Sequence, residues 1–212
     1  MAVLHKTQAD TQAPAARAAG DAPVVRRPRP ADGLELAYRT FLAGKRVEMG
    51  TIAVQLDVSQ TTVYRWYGSR EQLIEQVLER LARELLAKAG AEARGDGDER
   101  VLDFTRHLMQ AAFKLQPVRA FVQREPQLAL RLLLGESGVV RRTVTDALAE
   151  ALAEARSPAQ AGLLHDELAL FVAIASSLQW ATFAIGERPR MDDVIHLMRM
   201  MLAAGPREAH AK

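Results

Sequence analysis

The chain of 212 residues contains no cysteine. That excludes disulfides, thiolate metal sites and cysteine nucleophiles, and it leaves packing, together with any partner subunit, as the source of stability. No stretch approaches the roughly 18 to 20 uninterrupted apolar residues that a membrane span needs, and the N-terminus lacks an apolar core flanked by basic residues. The reading is of a protein neither exported nor membrane-inserted, suited to a reducing cytoplasm. Also missing are a Gly-rich phosphate loop, a nucleophile motif and paired histidines at metal spacing, so no cofactor and no catalytic residue is expected. The only local cluster of possible ligands is His165-Asp166-Glu167. Consecutive helical residues point in different directions, so those three do not converge on one metal. No fixed-period repeat is present, which argues against a solenoid.

What is there is a composition 49% hydrophobic, enough for a buried interior. The formal charge is only +2, yet it is unevenly placed, at +3 over residues 1–30, +1 over 31–70 and −2 over the rest. Such an asymmetry permits phosphate binding without establishing it. Residues 1–30 are rich in Ala, Pro and Arg and read as a flexible basic arm, with Arg26, Arg27 and Arg29 candidates for an adjacent minor groove. From Ala31 the apolar pattern is helical almost throughout, so the fold class is all-α. Helices are expected over about 32–43, a short one holding Met49, Ile52, Ala53 and Leu56, 60–67, 69–93, 99–115, 127–134, 139–156, 163–185 and 191–204. A further short piece should lie between Pro117 and Pro126. The expected domains are a small helical unit at 31–76 and a larger helical unit at 77–205, followed by a tail at 206–212.

Thr51 to Tyr67 reads as two short helices joined by a tight turn, the unit whose second helix fits the B-DNA major groove, about 12 Å wide. Ile52, Ala53 and Leu56 face inward from the first helix, Val63 and Tyr67 from the second, and Val58 fills the corner. Asp57 occupies the turn position at which a left-handed backbone is expected, and Asp tolerates it. Ser59 is a good N-cap, leaving free N–H groups and a positive dipole end to face phosphates. Gln60, Thr61, Thr62, Tyr64 and Arg65 then form an outward face with hydrogen-bonding groups and no carboxylate.

Ile52-Ala53, then Val58-Ser59-Gln60-Thr61-Thr62-Val63-Tyr64-Arg65-Trp66-Tyr67, then Ser69-Arg70-Glu71-Gln72-Leu73 closely resembles the DNA-binding signature of the TetR family. The likeness covers about residues 31–80. It implies a ligand-responsive transcriptional regulator, usually a repressor, with Thr61, Thr62 and Arg65 facing bases or backbone and Tyr64, Trp66 and Arg70 holding phosphates, while Thr51, Ser59 and Gln60 complete the interface. Three positions depart from the family pattern: Asp57 stands in place of the turn's Gly, Leu56 in place of a small residue, and Glu48 where a Ser or Thr cap is common. An acidic Glu48 near the DNA backbone would weaken binding or be turned away.

The resemblance also implies a C-terminal effector-binding and dimerisation domain. Val122-Gln123-Arg124-Glu125-Pro126-Gln127-Leu128-Ala129-Leu130-Arg131 resembles that of the QsdR-like subgroup, which favours a lactone or acyl-type small-molecule effector. Read from the residues, Phe104, Leu108, Met109, Phe113, Phe121, Leu128, Trp180 and Phe183 are large apolar groups available to line a cavity. His107, Ser176, Ser177 and Gln179 are the polar candidates beside them, because burying an unpaired polar group costs about 1 to 3 kcal/mol. Arg124 and Glu125 read as an ordinary exposed ion pair. A homodimer through 163–185 and 191–204 is expected, since a pseudo-palindromic operator needs two recognition helices about 34 to 36 Å apart. Val194, Ile195, Met198, Met201 and Leu202 give the last helix its apolar stripe. The alternative left open is a helical small-molecule-binding or adaptor protein without specific recognition of double-stranded DNA.

Overall fold

The computed structural model describes residues 27–135, 138–156, 164–185 and 190–204, without the side chains of 181–185. Among them are ten helices and no strand: α1 Pro30–Leu42, α2 Met49–Gln55, α3 Gln60–Tyr67, α4 Arg70–Glu92, α5 Gly97–Lys114, α6 Gln116–Arg124, α7 Pro126–Leu134, α8 Val139–Ala155, α9 His165–Ile185 and α10 Met191–Ala204. The all-α class stands as expected. Arg26, most of the arm, and the tail at 206–212 lie outside the described residues.

Several boundaries follow from single residues. α1 opens two residues earlier than its apolar pattern indicates. Pro30 sits in its first turn, where the missing N–H costs nothing, and the Arg29 N–H donates to the Asp32 carboxylate at 2.7 Å. Gly44 closes the helix region with φ +68. Ser69 caps α4, accepting from the Gln72 N–H at 3.1 Å. Pro117 lies in the first turn of α6, and Pro126 opens α7 directly after a one-residue break at Glu125.

The helices pack around two clusters of buried side chains, each buried aliphatic or aromatic group contributing roughly 1.5 to 3 kcal/mol. The first joins α1, α2, α3 and the opening turns of α4, through Tyr38, Phe41, Ile52, Val63, Leu73 and Val77, to Val118, Phe121, Ala129 and Leu133 of α6 and α7. The second joins the far end of α4 to α5, α8, α9 and α10 through Leu86, Phe104, Leu148, Phe171 and Met198. Leu85 touches both. The packing division thus falls on α4 between Leu81 and Leu86, and it places α6 and α7 with the N-terminal helices.

Candidate nucleic-acid interface and ligand cavity

The turn between α2 and α3 has the geometry its residues dictate. Asp57 adopts φ +53, and Ser59 caps α3 by accepting the Thr62 N–H at 3.1 Å, its hydroxyl also 2.9 Å from that of Thr62. Val63 and Tyr67 are buried and hold α3 against the core. Tyr67 donates its hydroxyl to the Pro30 carbonyl, and α1 comes so close there that a Cβ on Gly33 would lie 2.5 Å from the Tyr67 oxygen. Only glycine fits that approach. With its inner face fixed, α3 exposes Gln60, Thr61, Tyr64 and Arg65 and leaves Thr62 and Trp66 half-buried, while Thr51 of α2 is also exposed. Trp66 packs edge-on against Tyr67, ring centroids 6.2 Å apart. No carboxylate interrupts this face.

Arg70, the expected phosphate contact, finds its partners inside the protein. Its guanidinium donates to both carboxylate oxygens of Glu125, at 2.7 and 2.8 Å, and its Nε donates to the Val47 carbonyl at 2.6 Å. That pairing holds the Glu125 carboxyl below the usual carboxylate range. Glu48 pairs with Arg46 at 2.5 Å and lies 3.6 Å from Arg70. Arg124 and Glu125 are not an ordinary surface pair either. They stand 3.8 Å apart, and Arg124 donates instead to the Gly44 carbonyl at 2.8 Å.

A cavity of about 110 Å³ opens between the two clusters. Leu78, Leu81 and Leu85 of α4 form one wall, Leu115 and Val118 of α6 with Leu133 of α7 a second, and Leu108, Met109 and Ala112 of α5 a third. Val140, Val144 and Leu148 of α8 and Phe171, Val172 and Ala175 of α9 complete it. Its polar lining includes Thr105, Arg141, Ser176 and Gln179. The Thr105 hydroxyl donates to the Val101 carbonyl at 2.8 Å, and Gln179 donates to the Met109 carbonyl at 3.3 Å.

Of the sequence candidates, Leu108, Met109, Ser176, Gln179 and Trp180 line this cavity. Four do not. Phe121 is 1% exposed and packs on Phe41 at 5.6 Å inside the first cluster. Phe104 is buried away from the cavity among the second cluster. Phe113 lies under the Arg119 guanidinium at 4.4 Å, and His107 is a part-exposed residue with Nδ1 2.9 Å from the Asp103 carbonyl oxygen. Leu128 packs with the first cluster. Ser177 is exposed and donates back to the Ala173 carbonyl at 2.8 Å, and the Phe183 side chain lies outside the described residues. Sequence reasoning missed Thr105 and Arg141. Thr105 carried a signal, a hydroxyl on the apolar face with Val101, Leu102 and Leu108, whereas a charged residue opening α8 carries none.

On the outside of the larger unit, Leu170, Ile174 and Leu178 form an exposed stripe along α9, continued by Leu197 and Met200 of α10. Of the α10 residues named from the sequence, Val194, Ile195, Met198 and Leu202 point the other way and are buried in the second cluster, while Met201 is half-buried beside the stripe. α9 is thus apolar on two sides, one in the core with Leu168, Phe171 and Val172, and one in solvent.

No helix among the described residues is long and apolar enough to cross a membrane. None of the curated proteins compared with the chain matches it significantly. Two solved structures share its fold. The transcriptional repressor QsdR of R. erythropolis, from the TetR family, is 24% identical and superposes with a TM-score of 0.74 over 86% of this chain and 97% of its own. The TetR family repressor AlkX of Dietzia sp. strain DQ12-45-1b, implicated in biodegradation of n-alkanes, is 18% identical, with a TM-score of 0.60 over 84% of this chain and 96% of its own. A profile of the family described as tetracyclin repressor-like, C-terminal domain, matches residues 96–203, half of the chain. With a helix-turn-helix ahead of that domain, the chain belongs to the tetracycline repressor-like family of transcriptional regulators.

Proposed function

We propose that the protein is a homodimeric repressor that holds a pseudo-palindromic operator through α3 and releases it when a small apolar molecule enters the cavity between its two clusters. The observation that carries the reading is the outward face of α3, rigidly backed by Val63 and Tyr67 and free of carboxylates. Thr61, Thr62 and Arg65 would read base edges, which specify sequence, while Ser59, Gln60, Tyr64 and Trp66, with Thr51 beside them, would bind phosphates, which fix register. The exposed stripe from Leu170 to Met200 supplies the apolar patch through which α9 and α10 would pair with their counterparts about a two-fold axis.

The cavity lining favours a mostly apolar effector, an acyl chain or lactone among the classes that fit, since among the described residues its polar groups are those of Thr105, Arg141, Ser176 and Gln179 and the Trp180 indole N–H. Its volume of about 110 Å³ is below the roughly 150 Å³ that admits benzene. Any larger effector must part the walls, and that movement would tilt α4 and with it α3. The experiment is a titration of the protein against its own upstream DNA and against a random duplex at several salt concentrations. Tighter binding to the upstream DNA, weakening with salt, is expected. Equal, weak binding to both would overturn specific recognition and favour an adaptor role.

A further inference from the structure

The break between α6 and α7 grips the helix-turn-helix unit with two consecutive charged side chains. Glu125, with 13% of its side chain exposed, receives the bidentate fork of Arg70, the first residue of α4. Arg124 donates to the Gly44 carbonyl in the loop between α1 and α2, and Arg70 also donates to the Val47 carbonyl at the end of that loop. Two parallel hydrogen bonds between a planar guanidinium and a carboxylate fix direction as well as distance, so they hold one relative orientation of the elements they join. The same two helices, α6 and α7, bring Leu115, Val118 and Leu133 to the cavity wall. A wall that must part to admit a ligand and a grip on the loop leading into α2 therefore belong to one piece of structure.

We propose that the Arg70–Glu125 pair is a latch that makes the orientation of α3 depend on the position of the α6–α7 wall, and that Arg70 serves this latch and not a DNA phosphate. A phosphate ligand needs its guanidinium open to solvent; the Arg70 side chain is 21% exposed and its guanidinium makes three hydrogen bonds inside the protein. The proposal rests on the reading of the cavity as the effector site, so its test uses a built-in occupant in place of an unidentified ligand. Ala112→Phe on α5 adds a ring at the cavity lining, with Ala175→Phe on α9 as a second wedge should the first fail to fold.

Amide hydrogen exchange is measured over residues 44–67 in the free protein, for the native chain, Ala112→Phe, Glu125→Gln, Arg70→Lys and the Ala112→Phe/Glu125→Gln double variant. Arg70→Lys keeps the charge and loses the fork. Exchange on the order of tenfold faster is expected in each single variant, the size of ordinary coupling between sites, with no further increase in the double variant. Additive effects in the double variant, or native exchange in Arg70→Lys and Glu125→Gln, would overturn the latch. Duplex affinity against salt supplies the second arm. The slope of log affinity on log salt should be unchanged in Arg70→Ala; a slope smaller in magnitude by about 0.9 would identify Arg70 as a phosphate contact and defeat the proposal. A native chain with no salt-dependent binding to any duplex would defeat the proposed function alone, and the exchange cycle would still judge the latch.

Discussion

Tyr67 and Tyr38 are buried phenols at the junction of α1 with α3 and α4. Tyr67 donates to the Pro30 carbonyl, and Tyr38 donates to Glu84 with the Arg80 guanidinium stacked on its ring at 4.1 Å. Burial pushes both hydroxyls up to about 12, helped for Tyr38 by the hydrogen bond to Glu84. In the unfolded chain the phenols titrate near 10, so above that pH the unfolded state holds fewer protons than the native one. Stability is accordingly complete below pH 10 and falls as the pH rises from about 10 to about 12, by at most about 1.4 kcal/mol per pH unit for each tyrosine. Denaturant melts across this range should show the fall in the native chain and a shallower one in Tyr67→Phe. An equal slope in both would remove Tyr67 from the explanation. Glu125 behaves oppositely: Arg70 holds its pKa below the usual range, so the pair adds stability above that range and loses it only as the pH drops through the lowered value.

α3 was legible in the sequence to the residue, because Ser59 marks its start, Gly68 follows its end and Val63 and Tyr67, four apart, mark its inner side. The backbone demand at Asp57 was legible for the same local reason. The cavity was half legible. Ser176, Gln179 and Trp180 stand out as polar or aromatic on an apolar helix, but ring size says nothing of direction, so Phe104, Phe113 and Phe121 were assigned to a cavity they do not reach. The Arg70–Glu125 contact was invisible, since 55 residues separate the partners and no spacing rule spans that distance. The cap on α3 has a measurable weight. Ser59→Ala removes the acceptor for the Thr62 N–H and should cost about 1 kcal/mol of stability. Fraying the first turn of α3 should also weaken operator binding, and a melt together with a gel shift on the same preparation would check both. Undiminished DNA affinity in a destabilised Ser59→Ala protein would mean that the first turn does not face the DNA.

For the molecule as a whole, the exposed stripe of Leu170, Ile174, Leu178, Leu197 and Met200 is a surface without a partner in the single chain. Ile174→Glu, at a residue 39% exposed, should change the stability of the isolated fold by no more than about 0.5 kcal/mol. It should turn the dimer into a monomer at micromolar concentration in sedimentation velocity, with loss of operator binding and retention of weak binding to random duplex. An unchanged sedimentation coefficient would exclude this stripe as a dimer interface. The division of the core has an effect on unfolding itself. Two clusters that share α4 and meet at Leu85 should unfold as two cooperative units, a pair of transitions that calorimetry would resolve. Operator DNA would reinforce only the unit that holds α3. A molecule lodged between the clusters touches both, so it would draw two separate unfolding events into one.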